Sequence, residues 1–472
     1  MIKTLIIEFY ILFLILLTFF LDFFIPGKDK GKILGYMNAL LLLIGLFLFF
    51  YFKSFIGNFI GDFYLDEFAF TLKLLFFSAG FIGILGSIHF VENELEKREA
   101  EYYMLILSSI LGMSILVSSK NFLLFFIAFE LMSIPLYVLS AIKKYDEFAP
   151  EVGMKFFLVG AFSAGIMFFG ISLIYGSSGN LDFLKIKSQI FEISPLFATG
   201  IVFLLSGMGF KIATFPFHSW LPDTYEGAPE SYVAFLSVAP KAAGFAAIFR
   251  IIFEVIPSGR EEFLLLIIIL SALSMFIGNL LALPQENLKR LLAYSSIAHI
   301  GYVLVGVAAG TKEGIAMVVF YLFAYMFSNM GAFLFAETVR ITINKTDIDD
   351  LKGLAQKAPI LSLSMLIILL SLGGIPPVAG FWAKLYVFLA GVRSGLWYLA
   401  LWGAILTIVA LFYYLMVAKR IYIENSGQEF KTNMPFGLKL AMIVCVFGIL
   451  FFGIFPKFLV NLSFWAAGSL MH

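Results

Sequence analysis

The sequence predicts an all-α polytopic membrane protein with about fourteen transmembrane helices. Of its 472 residues, 61% are hydrophobic and only 13% are charged, whereas soluble domains carry about 25% charged residues. The apolar residues form long continuous runs, and about 20 such residues are needed for a helix to cross ~30 Å of hydrocarbon. The alternating segments of roughly ten residues that build membrane barrels fit none of these runs. We therefore expect helical spans.

Fourteen apolar runs, joined by short polar segments, are the predicted spans. They cover residues 3–25, 32–53, 67–91, 102–119, 121–142, 152–176, 196–221, 230–256, 262–284, 289–310, 313–340, 358–394, 396–422 and 437–465. The longest joints, 177–195 and 341–357, are too short to form a soluble domain and are expected to be surface connections.

Lys and Arg are concentrated in the joints that follow odd-numbered spans. The cations of these joints are Lys28, Lys30, Lys32, Lys97, Arg98, Lys143, Lys144, Lys289, Arg290, Arg340, Lys345, Lys352, Lys357, Lys419, Arg420 and Lys431. Even-numbered joints carry one or two each, such as Lys120 and Arg260. Because cytoplasmic joints carry an excess of Lys and Arg, we expect the odd-numbered joints in the cytoplasm and both termini outside.

Two spans contain helix-breaking sequences. The seventh reads GMGFKIATFPFHSW around Pro216, and the twelfth reads SLGGIPPVAGFWAK around Pro376 and Pro377. Proline removes a backbone donor and disturbs the preceding turn, which frees polar backbone to line a cavity. The breaks lie five spans apart, and an odd offset inverts topology, so we expect two inverted repeats. The predicted regions are 1–101 with spans one to three, 102–256 with spans four to eight, 257–422 with spans nine to thirteen, and 423–472 with span fourteen.

Ionisable residues inside the spans are the candidate functional residues, because a charge at the bilayer centre costs at least about 2.5 kcal/mol. Glu130 lies near the middle of the fifth span, where a purely structural ion pair is the alternative interpretation. Lys211 lies at the break of the seventh span. Burial and a nearby carboxylate act in opposite directions on an ammonium group. A Glu130–Lys211 pair that changes its geometry can therefore switch the amine between holding and releasing H⁺.

Three further lysines lie within predicted spans. Lys155, near the start of the sixth span, is a candidate, although its apolar stem can also carry the ammonium group to the interface. Lys241 lies deep in the eighth span with no acidic residue within eight positions, which favours a functional role. Lys384 lies within two helical turns of the break in the twelfth span.

His299 lies in the tenth span among hydroxyl-bearing residues, namely Tyr294, Ser295, Ser296 and Tyr302. An imidazole that titrates near neutrality among hydroxyls suits a proton relay. The alternative is a histidine that only packs.

The remaining charges and the single cysteine predict no further site. Anchoring at the membrane interface is the expected role of the charged residues near span ends, which are Lys73, His89, Arg250, Glu254, Glu337 and Arg340. The net charge of +1 is uninformative about a nucleic-acid partner, but the sequence has no basic run of the usual length, so we expect none. One cysteine, Cys445, cannot form an intrachain disulfide or bind an iron–sulfur cluster.

Four stretches of the chain resemble subunit N of the proton-pumping NADH:quinone oxidoreductase, respiratory complex I. They are AFELMSIPLYVL, GFKIATFPFHSWLPDTYEGAP, NLLALPQENLKRLLAYSSIAHIGYVLVG and SLGGIPPVAGFWAK. The resemblance extends over essentially the whole chain, and that subunit is in turn similar to Mrp-type Na⁺/H⁺ antiporter subunits. The YEGAP and SIPLYVL sequences and Lys384, in place of a glutamate, favour subunit N over its sister subunit M.

The resemblance implies proton-transfer roles for Glu130, Lys155, Lys211, Lys241, His299 and Lys384. It matches Glu130 and Lys211 to a glutamate–lysine pair, Lys241 to a central lysine and Lys384 to a terminal one. One departure is that Trp382 and Ala383 precede Lys384, where the family usually has two small residues. We expect Trp382 to narrow the channel.

The resemblance further implies a non-redox subunit of a proton-translocating enzyme in the bacterial inner membrane. NAD, FMN, iron–sulfur clusters and quinone would be bound by partner subunits, with no cofactor on this chain. The expected partners are the lipid bilayer, antiporter-like subunit M and small membrane subunits. Quinone reduction elsewhere would alter the Glu130–Lys211 pairing and drive a proton from Lys241 through His299 to Lys384.

Three alternatives stay open at this point. An Mrp-type Na⁺/H⁺ antiporter subunit would respond to Na⁺ gradients. The membrane subunit of a related hydrogenase or formate-linked complex would have a nickel–iron partner. A scaffold without transport activity would hold a membrane arm together, but the number of buried lysines argues against it.

Overall fold

The computed structural model describes residues 2–27, 29–95, 97–143, 149–190, 193–256, 261–424 and 434–470. This part of the chain is almost entirely helical, apart from a two-stranded hairpin of β1 (Phe59–Ile60) and β2 (Phe63–Tyr64). Four cations that contributed to the predicted orientation, Lys28, Lys144, Arg260 and Lys431, lie outside the described residues.

The first eight predicted spans are all helical in the structure. The helices up to this point are α1 (Ile6–Phe24), α2 (Lys30–Phe52), α3 (Glu67–Glu94), α4 (Glu99–Ser118), α5 (Phe122–Ser140), α6 (Ala149–Ser178), α7 (Phe183–Gln189), α8 (Pro195–Ile212), α9 (Trp220–Gly227), α10 (Glu230–Leu236) and α11 (Ala239–Arg250). The short α7 lies in the joint between the sixth and seventh spans. A π-helical turn, Ile251–Val255, extends α11.

The remaining spans follow the same pattern. Their helices are α12 (Glu261–Ala282), α13 (Leu288–Ala308), α14 (Lys312–Ile343), α15 (Leu354–Lys357), α16 (Pro359–Gly373), α17 (Ala379–Arg393), α18 (Trp397–Tyr422), α19 (Phe436–Ile454) and α20 (Pro456–Gly468). Within the described residues, and with α10 and α11 taken together, thirteen helices are long and apolar enough to cross a membrane. The twelfth span consists of α16 and α17, so the predicted all-α polytopic fold is confirmed.

Short polar side chains fix where several spans begin. Asp66 accepts the backbone N–H of Ala69 at 2.8 Å, and Asn287 accepts that of Lys289 at 3.0 Å. Thr311 caps α14 in the same way. Such caps satisfy backbone donors that the first helical turn leaves unpaired. They explain why the apolar runs start as helices at these polar residues.

The odd-numbered joints meet on one face of the molecule. Asn287, in the joint after the ninth span, forms a β-bridge with Asp347, in the joint after the eleventh. The guanidinium group of Arg340 lies 2.6 Å from a carboxylate oxygen of Glu94, so the third and eleventh spans also end together. We call this side of the molecule the odd-joint face.

The even-numbered joints meet on the opposite face, which we call the even-joint face. The hairpin strand β2 bridges to Ser119 through Phe63, and Asn121 bridges to Asp182. Ser469, at the end of α20, accepts the backbone N–H of Phe68 at 3.1 Å, which places this end at the even-joint face. This arrangement agrees with alternating helices. Its assignment to the outside of the cell stays a prediction.

Four spans are interrupted, of which two were predicted. The seventh breaks after α8 at Ala213, and the twelfth breaks after α16 at Gly374, each with a left-handed backbone conformation. The eighth span is also interrupted, between α10 and α11, where Pro240 lies in the first turn of α11. The fourteenth span is interrupted between α19 and α20, at Phe455 and Pro456. The sequence predicts both the eighth and the fourteenth spans to be continuous.

The central helices are the least accessible. The most apolar stretch of 18 residues differs in burial from span to span. In the span formed by α10 and α11 all residues of this stretch are buried, and in α13 and α14 94% are. By contrast, only 28% of these residues in α1 and 33% in α12 are buried. Lys241 and His299 therefore lie on the innermost helices. The division into two inverted repeats stays a prediction.

Candidate functional site

The ammonium group of Lys211 contacts a hydroxyl group rather than a carboxylate. Lys211 is 2% exposed near the end of α8, and its Nζ donates to Ser133 Oγ of α5 at 3.0 Å. Glu130 lies one turn before Ser133 and interacts electrostatically with Lys211. Among the described residues, no carboxylate oxygen of Glu130 lies within 4.0 Å of Lys211 Nζ. Glu130 Oε1 is buried and accepts no hydrogen bond from the described residues. The predicted pair is thus close but not in direct contact.

The break after α8 is held open by side-chain hydrogen bonds. Ala213 adopts φ 59°, which ends the helix. Thr214 Oγ1 lies 2.8 Å from Ser274 Oγ of α12, and the same serine accepts the backbone N–H of Phe215 at 3.0 Å. The carbonyl of Phe210 accepts the backbone N–H of Ala213 at 2.9 Å and also Trp220 Nε1 at 3.2 Å, so the end of α8 is tied to α9. These bonds fix Lys211 at a defined position beside the break.

Lys241 lies at the start of α11, one residue after Pro240, and is 3% exposed. Its Nζ donates to Ser296 Oγ of α13, and Ser296 Oγ lies 2.7 Å from the Tyr325 hydroxyl of α14. The ring of Tyr225 lies 5.3 Å from the ammonium group, which is a cation–π distance. No acidic residue pairs with Lys241 among the described residues. The amine is therefore held by groups that can both donate and accept a proton.

His299 connects three helices through tyrosine hydroxyls. Its Nδ1 lies 2.7 Å from the Tyr321 hydroxyl of α14, and its Nε2 lies 3.2 Å from the Tyr414 hydroxyl of α18. Tyr414 also bonds with Ser295, which neighbours Ser296 on α13. Both ring nitrogens thus lie beside hydroxyl groups, an arrangement that suits a relay and also satisfies a buried histidine, so the relay role stays a prediction.

Lys384 lies at the opposite end of this polar region. Its Nζ donates to the carbonyl of Gly373 at 3.2 Å, and the ring of Tyr302 lies 4.9 Å from the ammonium group. Gly374 adopts φ 82°, and a Cβ at this position would meet the stem of Lys384 at 2.9 Å. The break thus provides both the carbonyl that binds Lys384 and the space for its side chain.

A small cavity of about 10 Å³ lies between His299 and the broken twelfth span. Its lining residues include His299, Tyr321, Tyr325, Ser328 and Ser371. This volume is close to that needed for the centre of one water molecule. Tyr325 belongs to the hydrogen-bonded group of Lys241, and Ser371 lies at the end of α16 near Lys384. The cavity therefore lies between the hydrogen-bonded group of Lys241 and the break beside Lys384.

The geometry separates the candidate residues into three cases. Lys241, His299 and Lys384 belong to one buried polar region. Lys211 lies on α8. This helix packs closely against α11, since a Cβ on Gly244 of α11 would lie 2.5 Å from the side chain of Ile212 of α8. Hydrogen bonds among the described residues do not join Lys211 to Lys241.

Lys155 is the third case, because it lies outside the buried region. Its side chain is 50% exposed and pairs with Glu151 at 2.9 Å and with Asp223 at 3.4 Å. Trp382 likewise does not have the expected position. Its Nε1 donates to the carbonyl of Gly453 at 2.8 Å, so the indole ring packs toward α19, while Ala383 lines the cavity.

Several residues that the sequence analysis assigned to the membrane interface form buried ion pairs instead. Lys73 is fully buried and pairs with Glu8 at 2.6 Å. Arg250 is also fully buried and binds both oxygens of Asp66, at 2.6 and 2.7 Å. Glu337 is fully buried as well. Interface anchoring is wrong for these residues, because their side chains are buried inside the protein. Glu8 and Asp66, the partners of Lys73 and Arg250, are distant in sequence and could not be recognised along one helix.

The sequence analysis also missed the long-range hydroxyl partners Ser133, Tyr321, Tyr325 and Tyr414. One signal could have identified two of them, since Tyr321 and Tyr325 are four residues apart and share one face of α14. The other partners become recognisable only when the helices are packed together.

A family model described as NADH:quinone oxidoreductase/Mrp antiporter, TM, matches residues 119–410. A relative from Desulforamulus reducens named NADH-quinone oxidoreductase subunit N is 36% identical, and the alignment covers 86% of each chain. A relative of the same name from Moorella thermoacetica is 39% identical and covers 84% of each chain. These matches include the residues of the candidate site.

Solved structures share the fold. A chain of respiratory complex I from Thermus thermophilus, solved with bound aureothin, is 30% identical, with a TM-score of 0.82 over 96% of this chain and 98% of that one. A chain of the Mrp complex from a Dietzia species is 19% identical, with a TM-score of 0.89 over 100% and 98% of the two chains, and shows the fold alone. The chain belongs to the NADH:quinone oxidoreductase/Mrp antiporter family of transmembrane proteins and, within it, to the subunit N group.

Proposed function

We propose that the chain is a proton-translocating membrane-arm subunit of an NADH:quinone oxidoreductase. The observation that supports this most is the buried polar region that extends from Lys241 through Ser296, Tyr325 and the cavity beside His299 to Lys384. Buried ammonium groups without carboxylate partners are costly in a membrane unless they have a task. The chain itself makes and breaks no bond other than those to protons.

Each group in this region can receive a proton on one side and release one on the other. A serine or tyrosine hydroxyl is a donor and an acceptor, and neutral imidazole has one nitrogen of each kind. A proton on Lys241 can thus pass to Ser296 and Tyr325, cross the cavity to His299, and reach Lys384. Glu130 and Lys211 act as the control element, because their separation determines how strongly the carboxylate stabilises the ammonium group.

We further propose that the two inverted repeats, 102–256 and 257–422, each contribute half of the route. The first contains Lys211 and Lys241, and the second contains His299 and Lys384. Each also contains a span interrupted by Pro and Gly, which leaves backbone carbonyls available at membrane depth.

The proposed setting is the bacterial inner membrane, with the odd-joint face in the cytoplasm. NADH oxidation and quinone reduction would take place on partner subunits, which would hold NAD, FMN, iron–sulfur clusters and quinone. Antiporter-like subunit M and small membrane subunits would contact the accessible faces of the outer helices.

The test replaces Lys241 by Met in the assembled complex. Methionine keeps an unbranched apolar stem but carries no titratable group. We expect quinone reduction to continue while the number of protons translocated per electron falls. The measurement is proton uptake into inverted membrane vesicles together with NADH oxidation. Lys185→Met, at an exposed lysine of α7, is the control and should leave the ratio unchanged. An unchanged ratio in the Lys241 variant would contradict the proposal.

A second candidate is cation/proton antiport of the Mrp type, which the shared fold and the family description favour. The same vesicles distinguish the two. An imposed Na⁺ gradient would drive proton movement through an antiporter when NADH is absent, but it would not drive a route that is coupled only to electron transfer.

A further inference from the structure

We propose that Glu230 and Glu337 form a proton-loading pair on the odd-joint face, through which protons enter the route that leads to Lys241. This inference rests on the proposed function and adds the residues at which the proton is first bound. Neither residue belongs to the candidate set derived above.

The two carboxylates lie side by side on one guanidinium group. Arg340 Nε lies 2.9 Å from Glu230 Oε2 and 3.1 Å from Glu337 Oε2, and Arg340 also binds Glu337 Oε1 at 2.9 Å. Both carboxylates thus contact the same nitrogen atom, Arg340 Nε, which holds them close to one another. Two adjacent carboxylates can share one proton, since the shared proton relieves the repulsion between them. Glu94 and Lys289 complete the cluster, with Lys289 at 2.9 Å from Glu230.

The pair is reached from the odd-joint face. A cavity of about 480 Å³ is lined by Lys143, Asp223, Glu226, Glu230, Lys289 and Arg340, among others. Glu230 is 2% exposed and Glu337 is fully buried, so Glu230 is the outer acid and Glu337 the inner one. A proton arriving from the cavity therefore meets Glu230 first.

The inner acid lies one turn from groups that contact Lys241. Phe333 precedes Glu337 by four residues on α14, and its ring packs edge-on against Tyr225 with centroids 5.3 Å apart. The Tyr225 ring in turn lies 5.3 Å from Lys241 Nζ. Phe333 and Tyr225 thus connect the helix that carries Glu337 to Lys241.

Buried polar atoms on α9, α10 and α14 find no protein partner in the described part of the chain. They are Thr224 Oγ1, Tyr225 Oη, Ser231 Oγ and both amide atoms of Asn329, all on residues that are at most 1% exposed. Buried polar groups are almost always paired with protein or with ordered water. Ser231 follows Glu230 on α10, and Asn329 precedes Glu337 by eight residues on α14, so water bound to these atoms would lie along the helices that carry the two acids. The unpartnered atoms form an observation independent of the acid cluster.

Another ion-pair cluster on the same span provides a matched control. Glu254, in the π-helical turn at the other end of the eighth span, is 7% exposed and pairs with Lys120 at 2.6 Å and with Arg250. If Glu230 and Glu337 only hold helices together, neutralising Glu254 should have the same consequences. If they load protons, only the odd-joint acids should affect proton uptake.

The experiment compares Glu337→Gln, Glu230→Gln, Glu254→Gln and Lys241→Met in assembled complexes in inverted vesicles. Glutamine keeps the shape of glutamate and one acceptor oxygen, but it carries no titratable group. We expect Glu337→Gln and Glu230→Gln each to lower the proton-to-electron ratio toward the value of Lys241→Met, and the double variant with Lys241→Met to fall no further. Glu337→Asp should restore most of the ratio. Glu254→Gln should keep the normal ratio.

The outcomes separate this inference from the function on which it rests. A lowered ratio in Lys241→Met with a normal ratio in both glutamine variants overturns the proton-loading pair alone. A normal ratio in Lys241→Met overturns both. An equal decrease in Glu254→Gln also overturns the pair, because it assigns the effect to helix anchoring. The ratio is measured per electron, so partial assembly of a variant does not affect the result.

Discussion

The buried lysines of this protein differ in what holds the ammonium group. Lys73 pairs with a carboxylate, whereas Lys211 and Lys241 bind serine hydroxyls and Lys384 binds a backbone carbonyl. A carboxylate fixes the positive charge, and breaking such a buried pair costs about 3–5 kcal/mol. A hydroxyl can accept a hydrogen bond from the ammonium group and can donate one to the neutral amine. Lys211 and Lys241 are thus suited to proton exchange, whereas the carboxylate partner of Lys73 suits a structural role.

The Asp66–Arg250 ion pair is the clearest example of a buried pair with a structural role. Burial alone would raise the pKa of Asp66, but the charge and hydrogen bonds of Arg250 outweigh burial and lower this pKa below its usual value. A carboxyl group with a lowered pKa in the folded state adds stability above its pKa in the unfolded chain. That stability is lost as the pH falls through the lowered pKa. The pair therefore contributes fully at neutral pH.

We predict that Asp66→Asn destabilises the protein by about 3–5 kcal/mol, because it leaves the fully buried Arg250 without its bidentate partner. The measurement is thermal unfolding of the detergent-solubilised complex, followed by the loss of this chain. Glu313→Gln is the control. It removes a pair with Arg393, whose side chain is 66% exposed, and should cost at most about 1 kcal/mol. Equal effects of the two variants would show that burial does not govern these pairs.

At the scale of helices, glycine positions determine how closely the two halves of a broken span approach. Gly380, in the first turn of α17, donates its backbone N–H to Ser371 Oγ at 3.1 Å. A Cβ on Gly380 would come within 1.8 Å of the carbonyl oxygen of Ser371, which is backbone and cannot move aside cheaply. This contact keeps α16 and α17 together and thereby places Lys384 near the carbonyl of Gly373.

We predict that Gly380→Ala separates α16 from α17, at a cost of about 1–3 kcal/mol from overpacking. Proton translocation per electron should fall as well, since Lys384 would lose its position at Gly373. Both are measured as described for Lys241→Met and Asp66→Asn. Gly165→Ala is the control, because a Cβ there meets nothing within 4 Å. A Gly380 variant with normal stability and a normal ratio would show that the close approach has no function.

The sequence predicted the helices better than their interruptions. Spans were recognisable because about 20 apolar residues have few other stable arrangements in a membrane. Proline by itself did not identify the breaks. Pro135 lies inside the continuous α5, while Pro240 starts α11, a position that a proline also occupies in ordinary helices. Breaks at Pro216 and Pro376 were predictable because glycines accompany these prolines.

The candidate site was predictable only in its ionisable residues. Glu130, Lys211, Lys241, His299 and Lys384 are conspicuous because charge is rare in apolar runs. Ser133, Tyr321 and Tyr414 are not conspicuous, because serine and tyrosine are common in membrane helices and their partners lie on distant helices. For the same reason Glu337 resembled a residue at a span end until its contacts with Arg340 and Glu230 were known.

At the scale of the whole molecule, the two faces differ in the cavities and ionisable groups that a proton from solvent can reach. The odd-joint face has the cavity that leads to Glu230, whereas the even-joint face has the Asp66–Arg250 cluster and the hairpin. The direction of proton flow depends on which face contacts the cytoplasm. The excess of Lys and Arg predicts that it is the odd-joint face.

A labelling experiment tests this orientation, and the chain's single cysteine keeps background labelling of this chain low. Cys445 is fully buried in α19, so an impermeant maleimide should not reach it in folded protein. We predict that the reagent labels Lys185→Cys, on the even-joint face, in intact cells. Lys345→Cys, on the odd-joint face, should be labelled only in inverted vesicles or after permeabilisation. Both lysines are exposed. Labelling in denaturing detergent gives the total for each variant. The reverse pattern would place the Glu230 cavity outside the cell and make it an exit for protons rather than an entrance.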